Sequence, residues 1–160
     1  MDSELATDAE CTGLIVVDHG SRRAASNAML EQMVEMIREV VPYPVVEPAH
    51  MELAEPSIAT AFDACVAQGA TMVVVSPYFL LPGKHWTEDI PALAQEAAAA
   101  HPDVRFLVTA PLGLHPLMAQ VVNARVEHCL AHVEGRAEEC EACAGTGVCA
   151  VRATSPSAAA

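Results

Sequence analysis

Apolar residues follow two alternating rhythms along the chain, short continuous runs and longer stretches spaced by threes and fours. Gly13 to Val17 is a continuous run ending in Asp18-His19-Gly20-Ser21, the pattern of a buried strand that opens into a turn. Leu30, Met33, Val34, Ile37 and Val41 then fall on one face of a helix that Pro42-Tyr43-Pro44 stops. Val45 to Met51 reads as a second strand. Pro56 opens a second helix, with Ile58, Phe62, Cys65 and Val66 on one face and Gly69 at its end. Thr71 to Ser76 is β-branched and unbroken, as a parallel strand covered on both faces should be. Pro77 to Thr87 is a long loop, Glu88 to Ala100 a third helix and Val104 to Thr109 a fourth strand. Pro116 to Val133 forms the last helix, with Met118, Val122, Val126, Cys129 and Val133 along one side.

Strands alternating with helices at short spacing predict an α/β fold, a doubly wound parallel sheet of about four strands with helices on both faces. From Glu134 the periodicity is lost and an irregular cysteine-rich C-terminal tail follows, ending in Ser, Pro and Ala that offer no core. The expected organisation is an N-terminal extension over 1–11, one domain over 12–133 and the tail over 134–160. A chain of 160 residues, 52% of them hydrophobic, supplies one core and not two. No apolar run approaches the roughly 20 residues of a membrane-spanning helix, which implies a soluble protein. Asp2, Glu4, Asp8 and Glu10 fit neither a secretory signal nor a transit peptide, so the chain has neither or is a processed form.

Charge narrows the partners. A net charge of −13 with eight Lys and Arg argues against a nucleic-acid surface and is an obstacle to any anionic substrate. Six cysteines without a secretory signal point to thiols or metal ligands instead of disulfides.

Ligands of open parallel sheets bind beyond the carboxyl ends of the strands, and those positions are polar here. The first strand leads into Asp18-His19-Gly20-Ser21-Arg22-Arg23, the second to His50 and Glu52, the third to Lys84 and His85, and the fourth to Gly113 and His115. Two imidazoles and a carboxylate hold a first-row divalent ion loosely enough to hand it on, and imidazole also accepts protons near neutral pH. Plainer readings compete. His19 and His85 can be turn residues, Glu52 a solvated acid with His50 a rival for its role, His101 a helix-end surface residue and His115 a helix cap.

Asp18-His19-Gly20-Ser21-Arg22, His50-Met51-Glu52-Leu53 with Pro56, Pro77 to Trp86 with Asp89-Ile90-Pro91, and Ala110-Pro111-Leu112-Gly113 occur together and in order. Over about Thr12 to Val133 this set resembles the short class II chelatases, which include sirohydrochlorin ferrochelatase and cobaltochelatases. The resemblance implies a homodimer and a metal held by His19 and His85 with help from Glu52. It also implies a third-strand loop that covers a tetrapyrrole. The activity it implies is insertion of Fe²⁺ into sirohydrochlorin with release of two protons. The alternatives are a cobalt or nickel chelatase of a related tetrapyrrole, or a non-enzymatic iron carrier. A phosphoryl-accepting His19 would want more arginines than Arg22 and Arg23.

Sirohydrochlorin is rich in carboxylates, so Arg22, Arg23 and Lys84, with Ser21 and the backbone of Gly20 and Gly83, are the substrate-binding candidates. Their local field can prevail over remote acids, which salt screens within about 8 Å. Cys140-x2-Cys143-x5-Cys149 looks like the tail of plant and algal members, where it binds a [2Fe-2S] cluster. That likeness places the protein in the chloroplast stroma, or in the cytoplasm if the source is bacterial. Cys129 is a candidate fourth ligand or a buried helix thiol, Cys65 reads as a core thiol, and Cys11 is remote. Zinc is a rival occupant of the thiols, and His128 and His132, one turn apart, are a further metal-binding candidate.

Overall fold

A computed structural model describes residues 12–152. The elements run β1 (Thr12–Asp18), α1 (Ala24–Arg38), β2 (Val45–His50), α2 (Ile58–Ala67), β3 (Met72–Pro77), a π-helical turn (His85–Asp89), α3 (Ile90–Ala98), β4 (Arg105–Val108) and α4 (Pro116–Val133). The four strands form one sheet in the order β2-β1-β3-β4, and every pairing is parallel. Asp18 stands beside His50, and Val17 beside Pro77, so the ends of β1, β2 and β3 are level along one edge.

Alternation along β1 divides the core in two. Ile15 and Val17 face Phe62 and Cys65 of α2 and Ile90 and Ala94 of α3, all buried. Leu14 and Val16 turn the other way and pack with Leu30 and Val34 of α1. Helices therefore lie on both faces, as the alternation of elements predicts. Burying each of these large side chains is worth about 1.5–3 kcal/mol, and all of them bear on strands that carry the site at their ends.

Three boundaries differ from expectation. Helix α1 ends at Arg38, three residues before Val41, which packs on the core from the loop together with Tyr43. The Arg38 side chain donates to the Val46 carbonyl and so ties the helix end to β2. The third helix starts earlier, at His85, in a π-helical turn. The fourth strand is shorter, Arg105–Val108.

The chain divides into two compact units between Gly113 and Leu114. The first holds the sheet and α1 to α3. In the second, α4 has the predicted extent but no buried residue, and Leu117, Val121, Val122, Val126 and Leu130 are exposed. His128 Nε2–H donates to the Glu138 carbonyl and His132 Nδ1–H to that of Ala137, each at 3.1 Å, so the two rings hold the tail against its own helix. Arg125 adds an ion pair to Glu141 at 2.8 Å. No described helix is long and apolar enough to cross a membrane. The expected extension over 1–11, with Cys11, lies outside the described residues, as does the end of the tail.

Candidate active site

The turn after β1 is shaped by glycine. Gly20 has φ +86°, and a Cβ there would lie 1.9 Å from the Glu52 carbonyl oxygen, so only glycine allows the two loops to meet. Met51 N–H donates to the Asp18 carbonyl at 2.8 Å and Glu52 N–H to that of His19 at 3.1 Å, which continues the β1–β2 pairing past the strand ends. The Gly20 amide itself donates to Asp18 Oδ1 at 2.9 Å and is thus not free to bind substrate, contrary to expectation. Asn27, which the sequence did not single out, holds Ser21 through both its amide donor and its carbonyl, at 2.8 and 2.9 Å. Its signal was an Asn in the first turn of a helix, where side chains commonly bond the preceding loop.

His19, Glu52 and His85 meet at this edge. His19 Nε2 is 3.0 Å from Glu52 Oε1, and the His19 and His85 rings are 5.3 Å apart at 69°. All three side chains are about half exposed, so a ligand can reach them. A concavity of ≈400 Å³ lies in front, lined by Met51, Glu52, His85, Asp89, Ala92 and Leu93.

Hydrogen bonds fix what each ring can offer. The π-helical turn places Asp89 Oδ2 2.7 Å from His85 Nδ1, so Nδ1 carries the proton and the Nε2 lone pair is left for a ligand. Phe79 stacks on the other side of that ring. In His19 it is Nδ1 that contacts a carbonyl, that of Gly20 at 3.2 Å, and only an N–H satisfies it. A neutral His19 has one ring proton for two oxygens, the Gly20 carbonyl and Glu52 Oε1, the latter 3.0 Å from Nε2. A proton on Nε2 satisfies the carboxylate in this contact, and a metal ion can take the proton's place. Among the described residues no three His, Cys, Asp or Glu side chains are spread around one metal position.

The other candidates occupy distinct places. Arg22 and Arg23 are exposed at the start of α1, and Ser21 Oγ accepts from the Arg23 amide. Lys84 lies 3.9 Å from Glu88. The Gly83 carbonyl accepts from the amides of Trp86 and Thr87 and so begins the π-helical turn, while Trp86 Nε1–H anchors the loop to the Thr109 carbonyl. Tyr78, Leu80 and Leu81 of the same loop expose apolar surface. His50 is wholly buried and cannot compete with Glu52 for a ligand; its Nδ1 lies 2.6 Å from Asp18 Oδ1, and its Nε2 has no partner. Leaving such an atom unpaired costs about 1–3 kcal/mol. His115 caps α4 by accepting from the Leu117 amide, and His101 pairs with Asp63 at 2.6 Å.

In the second unit, Cys129, Cys140, Cys143 and Cys149 are free thiols near one another. Backbone amides of Ala142 and Cys143 point at Cys140 and lower its pKa. The hydrogen bond with Cys140 pushes Cys143 up to about 11, and the bond with Cys129 raises Cys149. Cys65 is different. Burial in the core pushes its thiol to about 12.

The fold is that of an α/β protein whose parallel sheet gathers two imidazoles and a carboxylate beyond its strand ends. The CbiX family model matches residues 13–129, and the chain belongs to that family. It is 59% identical over 140 residues to the chloroplastic sirohydrochlorin ferrochelatase of Arabidopsis thaliana, covering 88% of this chain and 62% of the relative, so it spans less than two thirds of that protein. The sirohydrochlorin chelatase SirB of Bacillus subtilis subspecies spizizenii, solved in complex with cobalt, superposes with TM-score 0.69 at 34% identity, over 72% of this chain and 50% of SirB. The CbiX protein of Marinobacter aquaeolei VT8 superposes with TM-score 0.66 at 30% identity, over 76% of this chain and 98% of that one.

Proposed function

We propose that this chain is a sirohydrochlorin ferrochelatase, which inserts Fe²⁺ into sirohydrochlorin and releases two protons to give sirohaem. The observation that carries the reading is the meeting of His19 Nε2 and Glu52 Oε1 at 3.0 Å beside the His85 ring, a contact that either a proton or an ion can bridge. Fe²⁺, the metal substrate, is taken up by His19 Nε2, Glu52 and the free Nε2 of His85. The macrocycle lies over the strand ends with Tyr78, Leu80 and Leu81 against its face, and Arg22, Arg23 and Lys84 near its carboxylates. As iron passes to the pyrrole nitrogens, the two N–H protons leave, and His19 and Glu52 are freed to accept them. Metal release and proton uptake are thereby coupled at one pair of atoms. The ferrochelatase name of the Arabidopsis relative supports iron as the metal, and the cobalt complex of SirB makes cobalt the alternative to test.

The cysteines extend the proposal. Cys140, Cys143, Cys149 and Cys129 are linked by successive thiol contacts, and four thiols so gathered suit a [2Fe-2S] cluster, with a single zinc as the rival occupant. Once bound, such a cluster supplies a one-electron redox centre. Exposed apolar residues of α4 support a homodimer, and the relative's chloroplast assignment supports the same compartment.

Metallation of sirohydrochlorin followed by absorbance tests the activity. Rates well above the spontaneous reaction are expected for the full chain, and rates at the spontaneous level would favour the iron carrier instead. Purified protein should show visible iron–sulfur absorption that a Cys140→Ser variant lacks; colourless protein containing zinc would overturn the cluster.

A further inference from the structure

We propose that His50 is a positioning residue, a buried link that holds the loops bearing His19 and Glu52 in ligand-binding register. The inference rests on the reading that these two side chains, with His85, take the metal. His50 lies inside the molecule at the last position of β2 and is fully buried, yet only its Nδ1 has a partner, Asp18 Oδ1 at 2.6 Å. The same Asp18 oxygen accepts the Gly20 amide at 2.9 Å, on the other side of His19. One carboxylate oxygen therefore joins the side chain that precedes Glu52 by two residues to the backbone that follows His19.

Nothing else in the core requires a histidine there. Ala49 before it is buried and apolar, Asp18 stands beside it in the sheet, and Nε2 ends without a hydrogen bond among the described residues. An aliphatic residue would fill the space without stranding a polar atom, so the imidazole answers to a need other than packing. The need is visible in the contacts. A Cβ on Gly20 would lie 3.1 Å from His50 Cβ and 1.9 Å from the Glu52 carbonyl, which shows how closely the two loops are brought together at this residue. Backbone bonds from Met51 to Asp18 and from Glu52 to His19 set the register, and the His50–Asp18–Gly20 chain fixes its angle. Without Nδ1–H, Asp18 Oδ1 keeps the Gly20 amide alone, and the side-chain link between the two loops is lost. Outer partners of metal ligands act in this way by orientation, without touching the ion.

Asparagine and glutamine separate positioning from packing. Asparagine carries an amide N–H close to where Nδ1 sits, and glutamine carries one nearer Nε2. Co²⁺ binding to the full chain is followed by visible absorption, with far-UV dichroism and Tm recorded for each variant. His50→Asn should bind within about threefold of the parent, and His50→Gln should bind about tenfold or more weakly while retaining its fold. Equal affinity in the two variants, or loss in both, would overturn the role. So would a His50→Gln protein that does not fold beside a folded His50→Asn, because His50 would then serve the core alone. His19→Ala and His85→Ala are measured alongside. If they bind Co²⁺ like the parent, the metal site itself is wrong; if they lose it while His50→Gln does not, only the positioning role fails.

Discussion

The molecule places candidate metal ligands in two regions, and it holds them by different means. At the sheet edge, His19 and Glu52 end two paired strands, and their separation of 3.0 Å follows from a parallel register that extends over the whole core. In the second unit, the thiols sit on the exposed helix α4 and a turn that a handful of local bonds retain, among them those of His128, His132 and Arg125. Nitrogen and carboxylate ligands on a rigid edge bind moderately and release; thiolates on a local turn are arranged to hold. Precision comes from topology in the first region and from local hydrogen bonds in the second.

That contrast is most directly broken by removing ligands from each side in turn. His19→Ala or His85→Ala should lower sirohydrochlorin metallation by about 100-fold or more, whereas a chain truncated after Val133 should keep most of its rate. Retained activity in both histidine variants, or a folded but inactive truncation, would reverse the assignment of roles. Asp89→Asn leaves the His85 ring in place but weakens its hold on Nδ1, and should reduce Co²⁺ affinity by about 10–100-fold. An unchanged affinity would show that the π-helical turn alone orients the ring.

Smaller effects sharpen the difference between core and tail thiols. Alkylation mapped by mass spectrometry in metal-free protein should modify Cys140 first, Cys143 later and Cys65 only on unfolding, following their lowered, raised and strongly raised pKa values. Cys65 also predicts a pH dependence. Its folded pKa of about 12 exceeds the ordinary 9.0, so the neutral thiol contributes stability that is fully present below pH 9 and is lost as pH rises toward 12. Cys65→Ala should remove that alkaline component from a denaturation series. Ser57, whose hydroxyl accepts the Thr60 amide as the cap of α2, should cost about 1 kcal/mol on replacement by alanine. A loss of that size appears as a lower Tm with metallation unchanged.

Much of the edge was legible because each candidate follows an apolar run, and a run of known direction has only one carboxyl end. His19, Glu52 and His85 were among the strand-end residues so marked, and the family resemblance singled out these three. His50 was misplaced for an equally physical reason. It and Glu52 are two residues apart at the end of one strand, and spacing alone does not say which of the two the packed sheet buries. Asn27 was missed as a partner because it acts through a bond to a loop whose path no local pattern specifies, and Asp89 because the sequence reading placed His85 in a loop and started the helix at Glu88, so their spacing of four went unread. The stripe on the last helix illustrates the converse, since Val122 and Val126 share a face as expected but neither is buried in this chain.

By itself the sequence determined the alternation of strand and helix, the parallel order that follows from it and the polar character of the strand ends, because apolar periodicity and turn residues are local properties. Tertiary structure alone decided which of those polar residues meet. Pairing of β1 with β2 carried Glu52 to His19, the turn before α3 brought His85 to both, and the same pairing sealed His50 beneath them. Distances across a sheet depend on register, and register is settled only when both faces of the core have closed.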